Sequence, residues 1–182
     1  MKAIWDRIHA WLAANAPAGY GDLRPGASAD EIRAAEEAMG LKLPDDVVAS
    51  YRLHDGQDTR ARYGRGLVGG EGWRLLPLQE IVELWGHWSR ADPEDARYVP
   101  IADIGTGDCV FLNLDPDFLD LDPDAEEPGY LVIHRRDSAE PYPFMPSFSD
   151  WLEELADELE SGKFAYSARH GSVMHAGEID LH

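Results

Sequence analysis

Apolar residues recur along this chain with a helical period in some stretches and a strand period in others. Ile4, Ile8, Trp11 and Leu12 fall at helical spacing and predict a helix from about Ala3 to Asn15, which Pro17 and Gly19 end. A second helix starts at Ser28. Glu31 stands three residues on, so the two side chains can form a capping box; Ile32, Ala35 and Met39 line one face, and Gly40 suits the left-handed position past the end. Pro44 fits the first turn of a third helix that reaches about Leu53. His54-Asp55-Gly56-Gln57 reads as the turn after it.

Residues 58–74 are rich in Gly and Arg and predict a mobile loop or a poorly regular hairpin. A short strand follows at Leu75–Pro77. Leu78, Ile81, Val82, Trp85 and Trp88 mark a fourth helix that Asp92-Pro93 breaks. Tyr98–Ile104 and Cys109–Leu114 read as strands joined by the turn Gly105-Thr106-Gly107-Asp108. Gly107 is expected at positive φ there, with Asp108 bonding nearby amides. Cys-Val-Phe-Leu is continuously apolar, as a central strand is. Tyr130–His134 is a third clear strand and Tyr142–Met145 a fourth candidate. Ser147 caps a last helix, with Asp150 at its third position and Trp151, Leu152, Leu155, Ala156 and Leu159 on its buried face. Helices first, then strands, then a closing helix predict an α+β fold with a mainly antiparallel sheet. The predicted domain covers 1–162, followed by a weakly patterned tail at 163–182.

Composition narrows the function classes. The 182 residues include 44% apolar, 28% charged, six Trp, seven Tyr and five Phe, which excludes a disordered chain, a collagen or a coiled coil. A single cysteine excludes an internal disulfide framework and a cysteine-rich zinc site. No apolar run approaches membrane length, and the N-terminus lacks the apolar core of a signal peptide, so a cytoplasmic protein is expected. Net charge is −19, which predicts repulsion from nucleic acid and from anionic membranes. Residues 115–162 hold 15 acidic and 2 basic side chains, so two thirds of the net charge falls in one stretch. Such a stretch either keeps the protein soluble or forms an electrostatic face for a basic partner.

Motifs for chemistry are weak. Gly64-Arg65-Gly66-Leu67-Val68-Gly69 matches the dinucleotide pattern by letter, yet Gly70 and Gly72 follow where a helix must open. Cys109, inside an apolar strand, reads as an inert thiol. The histidines do not pair at helical spacing, and His54 reads as a helix-end cap. The run Asp120-Leu-Asp122-Pro-Asp124-Ala-Glu126 alternates carboxylates but puts Ala125 where a calcium loop needs Gly. Most of the tryptophans fall in helical patterns and read as core. No cofactor and no metal are expected.

The order of short motifs is informative. The capped helix with Glu36, then Gly40, Leu43-Pro44 and a helix ending in His54-Asp55-Gly56-Gln57 resembles the SUKH superfamily, which includes fungal cell-wall-assembly regulators and bacterial immunity proteins. Val99-Pro100-Ile101-Ala102, Gly107-Asp108, Asn113-Leu114-Asp115 and Pro146-Ser147-Phe148-Ser149-Asp150-Trp151-Leu152 are similar to its sheet and closing helix. The resemblance implies a non-catalytic α+β binding domain, and structural roles for Glu36, Gly40, Pro44, Gly56, Gly107, Asp108 and Trp151. Its leading functional implication is an immunity protein that neutralises a basic, nuclease-type toxin or effector. The alternatives are a regulatory scaffold for wall assembly and a small-ligand or carbohydrate binder. The expected partner surface joins Asp115, Asp117, Asp120, Asp122, Asp124, Glu126 and Glu127 of the acidic loop to Glu153 and Asp157 on the outer face of the last helix.

Overall fold

A computed structural model describes residues 1–17, 22–58, 66–67, 73–104, 107–115, 129–135 and 141–179. Helices α1 (Lys2–Asn15), α2 (Ala29–Met39) and α3 (Asp45–Tyr51) come first. Strand β1 (Arg74–Leu75) and helix α4 (Leu78–Ala91) follow. A short 3-10 helix, Pro93–Arg97, then leads into β2 (Tyr98–Asp103), β3 (Cys109–Asn113), β4 (Tyr130–His134) and β5 (Tyr142–Met145). Helix α5 (Phe148–Glu160), a hairpin of β6 (Phe164–Ser167) and β7 (Ser172–His175), and a short 3-10 helix, Ala176–Glu178, complete the order. The first five strands form one antiparallel sheet in chain order, as the succession of periodic segments predicts.

Local chemistry sets the helix ends. Ser28 Oγ accepts from the Glu31 amide at 3.2 Å while the Glu31 carboxylate accepts from the Ser28 amide at 2.7 Å. Such a cap contributes about 1 kcal/mol. Gly40 ends α2 at φ 68°. Helix α3 stops at Tyr51, two residues short of the expected Leu53, where the Tyr51 carbonyl accepts from the Ala27 amide at 2.8 Å. At the start of α5, Ser147 Oγ accepts from the Asp150 amide at 3.0 Å.

The core lies between one face of the sheet and the helices. Val99, Ile101, Val110, Leu112, Leu131 and Ile133 meet Trp5, Ile8, Ile32, Val47, Tyr51, Ile81, Phe148, Trp151, Leu152 and Leu155 there. Each such apolar side chain, fully buried, is worth about 1.5–3 kcal/mol. The opposite sheet face carries a smaller cluster of Cys109, Phe111 and Val132, flanked by Trp88, Tyr98 and Tyr130. Every residue of β3 is therefore buried, which is why its sequence runs apolar without alternation. Arg74 ties β1 to its neighbours, donating to Glu80 at 2.8 Å and to Asp103 at 3.1 Å.

Three further expectations change. The deepest residues of α1 are Trp5 and Ile8, whereas Ile4, Trp11 and Leu12 flank the core, because the helix docks along its Trp5 edge and the Trp5 indole donates to Ser50 Oγ at 2.9 Å. The 58–74 stretch is anchored at its end: Trp73 is 2% exposed, and Gln57 Oε1 accepts from the amides of Leu67 and Leu75. Residues 59–65 and 68–72, with most of the glycine-rich match, lie outside the described residues. The segment after Lys163 is an antiparallel hairpin whose Phe164 and Val173 join the main core. In β6 the buried residues Phe164 and Ser167 stand at its two ends and in β7 only Val173 is buried, so neither strand shows a two-residue alternation.

Candidate functional site

The last helix presents one apolar and one acidic face. Trp151, Leu152, Leu155, Ala156 and Leu159 are buried at helical spacing, so Asp150, Glu153, Glu154 and Asp157 face solvent and Glu158 is half-buried. This face is partly neutralised from within. Arg7, on α1, reaches across to Asp157 and Glu160, each at 2.5 Å, and the pair of carboxylates holds its guanidinium well above the usual arginine range. Lys163, just past the helix, pairs with Glu158. Asp150 accepts from the Ser147 hydroxyl at 2.6 Å. Asp157 keeps 65% of its side-chain surface in water despite its partner, so it remains open to a second cation.

The acidic loop divides at its first residue. Asp115 is tied down: its carboxylate accepts from Arg97 at 2.9 Å, and its amide donates to Asn113 Oδ1 at 3.0 Å. Asp117, Asp120, Asp122, Asp124, Glu126 and Glu127 lie outside the described residues. The candidate calcium run lies there with them. Among the described residues no group of three or more His, Cys, Asp or Glu is placed to hold a metal ion.

The residues assigned structural roles cluster where elements meet. Glu36 is 8% exposed; its carboxylate accepts from the Leu43 amide at 3.0 Å and from Lys42 at 2.6 Å, fixing the turn between α2 and α3. Pro44 caps α3 and stands against Gly129, at the entry to β4. Gly56 has φ 65° and touches the Leu76–Pro77 backbone. Gly107 has φ 101°. Burial, and after it the Asp103 and Asp108 carboxylates, push the Cys109 thiol far up, so it is not a thiolate at neutral pH.

A histidine pair had no signal in the sequence. His54 packs against His9, ring centres 4.8 Å apart, and against Trp5 at the same distance; its Nδ1 lies 3.1 Å from the Arg24 carbonyl. Burial pulls the His54 pKa below the ordinary value, and neighbouring His9 adds to this. Arg7 was equally silent, because nothing in a helix names a carboxylate 150 residues away.

With this geometry in view, comparison with known proteins is decisive for kinship. The model of the SMI1 / KNR4 family (SUKH-1) matches residues 26–154, more than two thirds of the chain. The chain belongs to the SMI1 / KNR4 family. The matched stretch runs from the loop before α2 into the middle of α5 and includes the whole five-stranded sheet. Among similar proteins, a cell wall biosynthesis/cell cycle regulator, smi1, of Schizosaccharomyces pombe is 29% identical over 88% of this chain and 36% of its own length. A KNR4/SMI1 homolog 2 of Debaryomyces hansenii is 32% identical over 50% of this chain and 15% of its own. The F-box protein SKIP16 of Arabidopsis thaliana is 31% identical over 45% and 21%. This SUKH-1 chain thus spans little more than a third, or less, of these relatives' lengths. No helix among its described residues is long and apolar enough to cross a membrane.

Proposed function

We propose that this SUKH-1 chain is a non-catalytic protein-binding module with a regulatory role, and that its partner is a basic protein met by the acidic surface of the last helix and the 115–127 loop. One observation carries the reading: two thirds of the net charge lies in residues 115–162, and α5 turns its carboxylates outward within that stretch. Like charges this dense repel one another in the free protein. A basic partner relieves that repulsion and is drawn in by the field. The regulatory form of the role is supported by the names of relatives, which include a glucan synthesis regulatory protein of Neurospora crassa. It is also supported by where the matched region sits, as a minor part of proteins as different as cell wall regulators and F-box proteins.

A second reading, neutralisation of a basic toxin, is favoured by the concentration of charge, since toxins that cleave nucleic acid carry basic surfaces. The test is capture of binders by the immobilised chain from its own source, followed by binding of the purified candidate. A basic protein that binds saturably supports the proposal. If that protein arrests growth when expressed and co-expression of this chain relieves it, the partner is a toxin; a component of envelope synthesis supports the regulatory form. Binding only of acidic or neutral proteins, unaffected by salt, overturns the proposal.

A further inference from the structure

The acidic face of α5 is interrupted by a hollow between β5, α5 and β6. Phe144, Met145, Trp151, Leu155 and Phe164 give it apolar walls, and Glu154, Glu158 and Lys163 form its polar rim. Its volume is about 190 Å³. That is small beside the roughly 300–1,000 Å³ of small-molecule sites, and suits a single long side chain.

Two further features point to an occupant. Trp151 is 2% exposed and stacks edge-on against Phe144 at 5.6 Å, yet its buried indole N–H has no acceptor among the described residues. A buried N–H left unpaired costs its full desolvation, so an acceptor brought in by a ligand is favoured. The rim also holds a cation already. Lys163 pairs with Glu158 and stands 5.7 Å from the centre of the Phe164 ring. Glu154, one helical turn before Glu158, feels the Lys163 charge but forms no ion pair with it. Burial, then Glu158, raise the Glu154 pKa above the ordinary carboxylate value, with Lys163 opposing them.

We propose that this hollow receives one arginine or lysine side chain of the partner protein, its stem against Phe144, Trp151 and Phe164, its charge on Glu154, and a flanking carbonyl accepting from the Trp151 indole. The inference rests on the protein-binding reading and gives that surface its anchor. A cationic side chain that buries its stem and keeps its charge beside Glu154 suits the apolar walls and the carboxylates of the rim. Lys163 is then a built-in competitor for the same carboxylates.

The test uses the whole chain and needs no partner. The Trp151 indole N–H resonance, assigned with Trp151→Phe, is followed by NMR while Nα-acetyl-arginine amide is added, with acetyl-norleucine amide as the neutral probe. The arginine probe is expected to shift it saturably with a Kd on the order of millimolar, and the neutral probe to bind at least about fivefold more weakly. Glu154→Gln should weaken the arginine probe about fivefold and leave the neutral one unchanged. Lys163→Met, by removing the competitor, should tighten it. Equal response to both probes, indifference to Glu154→Gln, or weaker binding by Lys163→Met overturns the proposal. The probe arm stands apart from partner capture. A hollow that binds the probe in a chain that captures no basic protein defeats the functional reading alone. A captured partner indifferent to Glu154→Gln defeats the anchor alone.

Discussion

Glycines at three turns of this fold have the same side chain to gain and different surroundings to meet. Gly40 and Gly56 both sit in the left-handed region, at φ 68° and 65°. A Cβ on Gly40 finds nothing within 4 Å, whereas one on Gly56 falls 2.6 Å from the Leu76 carbonyl carbon and from Pro77 N. Gly26 has no positive φ, yet a Cβ there lies 2.0 Å from the Arg52 carbonyl oxygen. Alanine at Gly40 therefore costs only the left-handed backbone, about 1 kcal/mol after the unfolded chain's lost freedom is set against it. At Gly56 the same cost is joined by a backbone collision of about 1–3 kcal/mol, for a total near 3 kcal/mol. At Gly26 only the collision acts, at about 2–3 kcal/mol. For a domain of this size each kcal/mol lowers Tm by roughly 2–4 °C. Thermal and urea unfolding followed by circular dichroism should thus rank Gly56→Ala and Gly26→Ala well below Gly40→Ala, with unchanged urea slopes. Equal losses at Gly40 and Gly56 would refute the packing of the His54–Gln57 turn against the entry to α4.

Two further outcomes follow from the packing. Because burial lowers the folded pKa of His54, the unfolded chain binds protons first; stability should hold above about pH 7 and fall as pH drops through the ordinary histidine value of about 6.5. Urea midpoints from pH 8 to 5 measure this, and His54→Gln should flatten the acid limb; a wild-type midpoint that rises on acidification contradicts it. Phe164→Ala should cost about 3 kcal/mol, since Phe164 is only 7% exposed and belongs to the main core, and its urea midpoint should fall accordingly. A wild-type midpoint would make the hairpin an appendage.

Legibility in the sequence followed the range of the interactions. The Ser28–Glu31 box, Gly40, the Ser147 cap and the apolar stripe of α5 are set by residues a turn or two apart, and all four were readable. The continuous apolar run of β3 pointed correctly to a central strand, the middle one of five. That Trp5 lies deeper in α1 than Trp11 was not readable, because its partner Ser50 lies 45 residues on and decides which edge of α1 turns inward. The β6–β7 hairpin escaped because its buried positions, Phe164 and Ser167 in β6 and Val173 in β7, do not alternate along the strands. For the candidate surface, the outward carboxylates of α5 were legible from its stripe. Their internal neutralisation by Arg7 and Lys163 depends on tertiary docking and was not.

The central claim, that an acidic face recruits a basic protein, is tested most directly by the association rate of the purified partner across ionic strength. Between about 50 and 300 mM salt the Debye length shrinks from roughly 14 to 6 Å, so the rate should fall steeply while dissociation changes little. Joint neutralisation of Asp120, Asp122, Asp124, Glu126 and Glu127, with Glu153 and Asp157, should lower the low-salt rate and flatten that dependence. An association rate indifferent to salt, or unchanged at low salt by those substitutions, would contradict the account.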